Sequence, residues 1–400
     1  MYTATFTFAP GEFDAEFHAL DQVIAQVAKS IPGYLGEESW ENPTTGLIAN
    51  VYYWDSLDAL QTLMRHPAHQ QAKQQQARWL KGYQVVIAQV VGCHGDGGIG
   101  HPLENLAINP QPDTPRPSMP PATALTHLDL RYADTSARQV LDLYLPDTPP
   151  PPGGYPLIVH IHGGAWRVGD KRDRQMNGPR QLLGQGYALA SINYRLSDEA
   201  RFPAQIHDVK AAIRWLRGNA AAYRIDPQRV AAWGGSAGGH LSALVGTSAG
   251  VAELEDLTLG HPQERSDVQA VVSWFGPTDF LKMDVYLRQT GCGTPDHGAP
   301  DSPESQLLGA PIAEVPDAVR RANPETWLRP DCPPFLLQHG TRDHLVPYQH
   351  SVRLADRIDE VAGAGRARLT LLEGARHGGA AFESAENLVI VAGFLREHLG

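Results

Sequence analysis

Ala232-Trp233-Gly234-Gly235-Ser236-Ala237-Gly238-Gly239-His240 carries a Gly-x-Ser-x-Gly pentapeptide at its centre, Gly234 to Gly238. A serine hydroxyl is a weak nucleophile until it is lifted clear of the backbone and given a base, and a sharp strand-to-helix turn supplies the lift. The flanks fit that turn. Arg229 to Trp233 is a short apolar run suited to a buried strand, and His240 to Val245 continues as a helix with an apolar side. The glycines tolerate strained dihedrals and close neighbours, while the Ala237 amide faces the place where an oxyanion would form. Strand, tight turn and helix in succession point to a parallel α/β architecture with Ser236 at a turn apex.

The remaining parts of an acyl-transfer site follow in a consistent order. Leu157 to His162 reads as a buried strand running into Gly163-Gly164-Ala165-Trp166. The amides of Gly163 and Gly164, with that of Ala237, are expected to form an oxyanion hole; the bland alternative is a glycine turn. After the serine come an acid and then a base. Pro334 to Gly340 reads as a strand with Asp343 in the loop beyond it, and Ala367 to Glu373 as the last strand, followed by His377. His377 would take the Ser236 proton and pass it to the leaving alcohol, with Asp343 fixing its tautomer. Asp279 is the alternative acid, and His339, His344 and His350 are read as structural or solvent-facing. Trp166, Trp274 and Phe275 are candidate pocket walls, with core packing as the alternative.

Spread over residues 125–400, these stretches resemble an α/β-hydrolase. Together with Asn193 to Leu196, Phe202 to Val209, Phe275 to Asp279 and Ser302 to Ser305, they are similar to the hormone-sensitive-lipase-related esterases and above all to the feruloyl-esterase-like BD-FAE branch. The resemblance implies an eight-stranded, mostly parallel sheet, a site at the carboxyl ends of the strands, and hydrolysis of a small carboxylic ester, feruloyl or otherwise aromatic among the options, without a cofactor or metal. Seven strands are read directly, near 138–146, 157–162, 187–194, 229–234, 269–275, 334–339 and 367–373. An insert of about residues 280–330, rich in Gly, Pro, Asp and Ser, is expected to act as a lid. Arg195 and Asp208 are expected to form a structural ion pair.

Residues 1–98 have a different pattern, strand 2–8, helix 13–31, strands 34–40 and 47–54, helix 57–80 and strand 83–91. This βαββαβ order resembles the antibiotic-biosynthesis-monooxygenase (ABM) group of ferredoxin-like domains through Tyr53-Trp54-Asp55-Ser56 and His66-Pro67-Ala68-His69. Haem-degrading members need a strand-one asparagine that this chain lacks, and Lys73 stands where their histidine ligand would be; His66 and His69 are read as solvent-facing. The apolar run Val85 to Val91 predicts an uncovered sheet face and hence a homodimer. A proline-dense stretch within 99–124 reads as a linker between the two domains. An alternative to a lone esterase is a bifunctional chain, a cofactor-free monooxygenase whose product, a lactone or formamide among the options, the hydrolase consumes.

Composition sets limits. The 400 residues carry a formal net charge of -11, which disfavours a nucleic-acid partner. No run of about eighteen apolar residues argues for a membrane span, and a cytoplasmic location is the expectation. Three cysteines make no disulfide framework or Cys-x-x-Cys site. A bridge between Cys292 and Cys332 is conceivable, with free thiols favoured in a reducing compartment.

Overall fold

A computed structural model of the chain describes residues 2–90, Pro102 and 125–400, in two units divided between Arg116 and Pro117. Apart from Pro102, the stretch read as a linker lies outside the described residues.

The first unit is a four-stranded antiparallel sheet of β1 (Tyr2–Pro10), β2 (Tyr34–Glu41), β3 (Ile48–Trp54) and β4 (Leu80–Gln89), in the order β2-β3-β1-β4. Helix α1 (Ala15–Ser30) starts where Asp14 accepts the Phe17 amide at 2.8 Å. The helix expected over 57–80 is two helices, α2 (Leu57–Arg65) and α3 (Pro67–Trp79). Pro67 is the cause: it drives His66 into the extended region, ψ 138, and His66 Nδ1 then accepts the Ala68 amide at 3.2 Å. Trp54 is fully buried in the small core of this unit.

The face opposite the helices is less apolar than the β4 sequence implied. Ala4, Phe6 and Phe8 look toward the helices, so the alternating Thr3, Thr5 and Thr7 line the open face. Thr5 sits between Val51 and Val86 in register. Tyr83, Val85, Val86 and Ile87 on the edge strand β4 are nearly half exposed.

The second unit is built on an eight-stranded sheet: β5 (Thr126–Arg131), β6 (Val140–Tyr144), β7 (Tyr155–Ile161), β8 (Ala188–Ile192), β9 (Ile225–Gly235), β10 (Ala270–Trp274), β11 (Phe335–Gly340) and β12 (Ala367–Leu372). Its order is β12-β11-β10-β9-β7-β8-β6-β5. The six strands from β12 to β8 run parallel, β6 pairs antiparallel with β8, and β5 pairs antiparallel with β6. This is the eight-stranded, mostly parallel sheet expected of an α/β-hydrolase.

Strand β7 is buried throughout because helices cover both faces. Leu157, Val159 and Ile161 pack with Ile206, Val209 and Ile213 of the helix Ala204–Gly218. Ile158 points the other way, into the cluster that holds Leu388, Val391 and Leu395 of the helix Ala385–Leu399. Each such side chain contributes about 1.5–3 kcal/mol by leaving water. Arg195 forks onto the buried Asp208 at 2.7 and 2.9 Å, tying the loop after β8 to the helix Ala204–Gly218. No helix among the described residues is long and apolar enough to cross a membrane.

Candidate active site

Ser236 sits between β9 and the helix Ala237–Thr247 with φ 56 and ψ −123, a conformation that costs a non-glycine residue about 1–3 kcal/mol. Neighbouring backbone over-determines it. A Cβ on Gly234 would lie 2.4 Å from the Gly238 carbonyl, and one on Gly238 would lie 2.0 Å from the Ile161 oxygen, so the glycines of the elbow are required by close approach. The Ser236 amide donates to the Trp274 carbonyl at 2.9 Å, anchoring the apex to β10. No side chain caps the helix that starts at Ala237, which leaves its first amides facing outward at the positive end of the dipole.

The loops beyond β11 and β12 bring the other two groups to this apex. His377 Nε2 lies 2.9 Å from Ser236 Oγ, and His377 Nδ1 lies 2.8 Å from Asp343 Oδ2. Asp343 is buried, and its Oδ1 accepts the amides of Leu345 and Val346, both at 2.9 Å. Burial works against the carboxylate, yet hydrogen bonds from His339 and His377 outweigh it and hold the Asp343 carboxyl well below the usual range. With the acid fixed, the imidazole Nδ1–H is directed at it and Nε2 is free to take the serine proton. Asp279 is elsewhere, accepting the Leu281 amide at the start of a short helical turn.

Sequence reasoning set His339 aside as structural, and it is in fact coupled to this acid. Its Nε2 is 3.2 Å from Asp343 Oδ2 and 2.8 Å from the Val346 carbonyl, and its Nδ1 accepts the Ser351 hydroxyl at 2.7 Å. The position four residues before the acid, at the end of a buried strand, was the available clue. His350 is instead enclosed beside Thr278, and burial pushes its pKa down to about 3.

The predicted oxyanion donors divide. Gly164 lines the cavity at Ser236, but the Gly163 amide donates to Gln175 Oε1 at 2.9 Å and is therefore occupied. Gly164 (φ 105), Ala165 (φ 54) and Trp166 (φ 56) form a left-handed turn. That turn puts Ala165 in the cavity lining and swings the Trp166 ring into the interior, edge-on to His240 at 5.3 Å and close to Phe280 at 5.4 Å. Trp166 is thus a core residue rather than a pocket wall. His162 braces the turn, stacked on Tyr194 at 4.4 Å with Nδ1 against the Gly163 carbonyl at 2.7 Å.

The cavity over Ser236 has a volume of about 480 Å³. Trp274 and Phe275 line it as expected, with Trp233 and Phe382 beside them. No residue of the 280–330 insert does. The insert packs inward through Phe280, Met283 and Leu287, and supports the acid's loop from outside, where His297 Nε2 meets the Leu345 carbonyl at 3.1 Å. Cys292 and Cys332 are both free thiols.

The N-terminal unit has a cavity of its own, about 410 Å³, between sheet and helices. Trp54, His69 and Lys73 line it, whereas His66 is engaged as the helix cap. Burial, with Lys73 nearby, lowers the His69 pKa from its ordinary value.

A sequence profile of BD-FAE matches residues 141–358, more than half of the chain. The chain belongs to the BD-FAE family. Among curated relatives, this BD-FAE chain is 33% identical over 267 residues to esterase LipC of Mycobacterium tuberculosis, covering 62% of the chain and 60% of the relative. It is 29% identical over 234 residues to the probable carboxylic ester hydrolase LipM of the same organism, covering 58% and 52%. The chain thus spans between half and two thirds of the length of these relatives. Among solved structures, a truncated carbohydrate esterase from gut microbiota is 35% identical with a TM-score of 0.61, covering 69% of this chain and 96% of that one. Thermogutta terrifontis esterase 2 is 26% identical with a TM-score of 0.51, covering 70% and 96%.

Proposed function

We propose that this BD-FAE chain is a serine carboxylesterase that works through an acyl-enzyme. The observation that carries the reading is the continuous relay from Ser236 Oγ through His377 to the buried Asp343, at 2.9 and 2.8 Å. Ser236 Oγ attacks the ester carbonyl carbon as its proton passes to His377 Nε2. The carbonyl oxygen takes the negative charge and is stabilised by the amides of Gly164, Ala165 and Ala237, a term worth about 10²–10³ in rate per donor. His377 then returns the proton to the departing alcohol, and water cleaves the acyl-serine by the same steps with the acid as second product. The aromatic walls Trp233, Trp274, Phe275 and Phe382 favour a small ester that carries an aromatic ring, of which a feruloyl ester is one.

A fluorophosphonate probe followed by peptide mapping tests the assignment. Labelling is expected at Ser236 and lost in Ser236→Ala, together with turnover of 4-nitrophenyl acetate; labelling at another serine refutes it.

We further propose residues 1–98 as a ferredoxin-like, ABM-related dimerisation unit, joined to the hydrolase by the 99–124 linker. The half-exposed edge strand β4 supports this. Light scattering of the full chain is expected to give twice the chain mass, and a monomer overturns it. A second reading, chemistry on a small apolar molecule in the N-terminal unit, is favoured by the 410 Å³ cavity there. Detectable oxidation of a phenolic substrate by Ser236→Ala would establish it.

A further inference from the structure

Two exposed arginines, Arg167 and Arg174, are among the residues that line the cavity over Ser236, and among the described residues no ion pair or side-chain hydrogen bond is seen for either. In a chain of net charge -11 this is a local reversal of sign in the lining of the cavity over Ser236. Each arginine belongs to the oxyanion side of the serine. Arg167 directly follows the left-handed turn Gly164 to Trp166, and Arg174 precedes Gln175, whose side chain holds the Gly163 amide. The single carboxylate of the lining, Glu383, belongs instead to the short helix Ala380–Glu383 that follows the His377 loop. His160 and His377 are the remaining titratable groups of the lining. Burial pushes the His160 pKa down to about 3, so it adds no charge near neutral pH.

The alcohol half of an ester must lie toward His377, which protonates it, and the acyl half extends away from that loop. The positive pair and the negative Glu383 therefore face different halves of the substrate. We propose that the preferred substrates are esters whose acyl portion carries a second, free carboxylate, the monoesters of dicarboxylic acids, with Arg167 and Arg174 receiving that carboxylate. A planar guanidinium matches a carboxylate with two parallel hydrogen bonds, and two of them leave room for acyl chains of different length. The preference is local rather than long-range. At physiological ionic strength the Debye length is about 8 Å, so the overall negative charge is screened while direct contacts persist.

The inference rests on the esterase reading above, and one pair of substrates separates the two. The anionic probe is the 4-nitrophenyl monoester of glutaric acid, and the neutral one is 4-nitrophenyl valerate. The readout is the ratio of their kcat/KM values, in which any general loss of activity cancels. Wild type is expected to give a ratio above one that falls with added salt. The double variant Arg167→Gln, Arg174→Gln is expected to lower the ratio about tenfold through KM for the monoester, and Glu383→Gln to leave it unchanged or raise it. A wild-type ratio below one, or a ratio that the double variant does not move, overturns the proposal while the esterase reading stands. Failure to hydrolyse valerate, with Ser236 unlabelled by fluorophosphonate, overturns both.

Discussion

Asp343→Asn removes one charge and almost no volume, yet the surroundings of that carboxylate make it a severe change. Asp343 receives four donors, the Leu345 and Val346 amides on Oδ1 and the His377 and His339 rings on Oδ2. An asparagine satisfies the two amides with its oxygen, which leaves its NH₂ facing both imidazoles. His377 relieves that clash by taking the opposite tautomer, with a lone pair on Nδ1 and the proton on Nε2. The proton then points at Ser236 Oγ, 2.9 Å away, and the base can no longer accept. A wrong-tautomer base costs about 10⁴ in kcat, or about 5 kcal/mol of barrier. The assay is kcat/KM for 4-nitrophenyl acetate, with thermal melting to confirm the fold. A folded variant that keeps more than a tenth of the activity refutes the tautomer argument. Asp279→Asn is the control, expected to stay within a few-fold of wild type because its carboxylate only caps a turn.

Two further outcomes are expected from the same geometry. His339→Ala deletes a donor to a buried carboxylate and is expected to lower kcat by about 10- to 100-fold with little change in KM; an unchanged kcat makes His339 purely structural. His160, His162, His240 and His350 are all buried, with pKa values pushed down by burial to about 3, 4, 4 and 3. The native state thus binds fewer protons than the unfolded chain below the ordinary histidine value of about 6.5. Stability is fully present above that pH and is lost as pH falls toward 4, by up to about 1.4 kcal/mol per histidine per pH unit. Urea midpoints should therefore drop between pH 7 and 5, and a flat profile over that range contradicts the burial of neutral imidazoles.

What could be read from sequence was what is local. The elbow, the strand before each catalytic loop and the Ser-Asp-His order are written in short consecutive runs, and seven of the eight strands of the large sheet were legible for that reason. Strand β5 was missed because Thr126 to Arg131 offers only Leu128 and Leu130 to an alternating pattern, and it pairs with β6 through a shifted register. The break at Pro67 was legible in principle and was overridden by the apolar spacing around it. Contacts across the chain were not legible. Nothing in the run Gly163 to Trp166 announces that Gln175 will occupy the first amide, or that three successive left-handed residues, Gly164 to Trp166, will turn the Trp166 ring inward. The open sheet face of the first unit was misjudged from β4 alone, since its threonines come from β1.

The bond from Gly163 to Gln175 also bears on how this protein can be altered. Gln175 stands in a three-residue helical turn, Arg174–Met176, that is pinned to the interior by the buried Met176 and places Arg174 in the lining of the cavity over Ser236. One segment therefore both shapes the cavity mouth and steadies the loop proposed to receive the developing charge. Specificity and rate are mechanically linked there, so exchanges between Asp170 and Met176 made to admit a new substrate will tend to slacken the catalytic loop as well. Libraries that vary Val168 and Arg174 while holding Gln175 and Met176 fixed separate the two traits, and lineages that lose Gln175 early are expected to widen their substrate range at the expense of turnover.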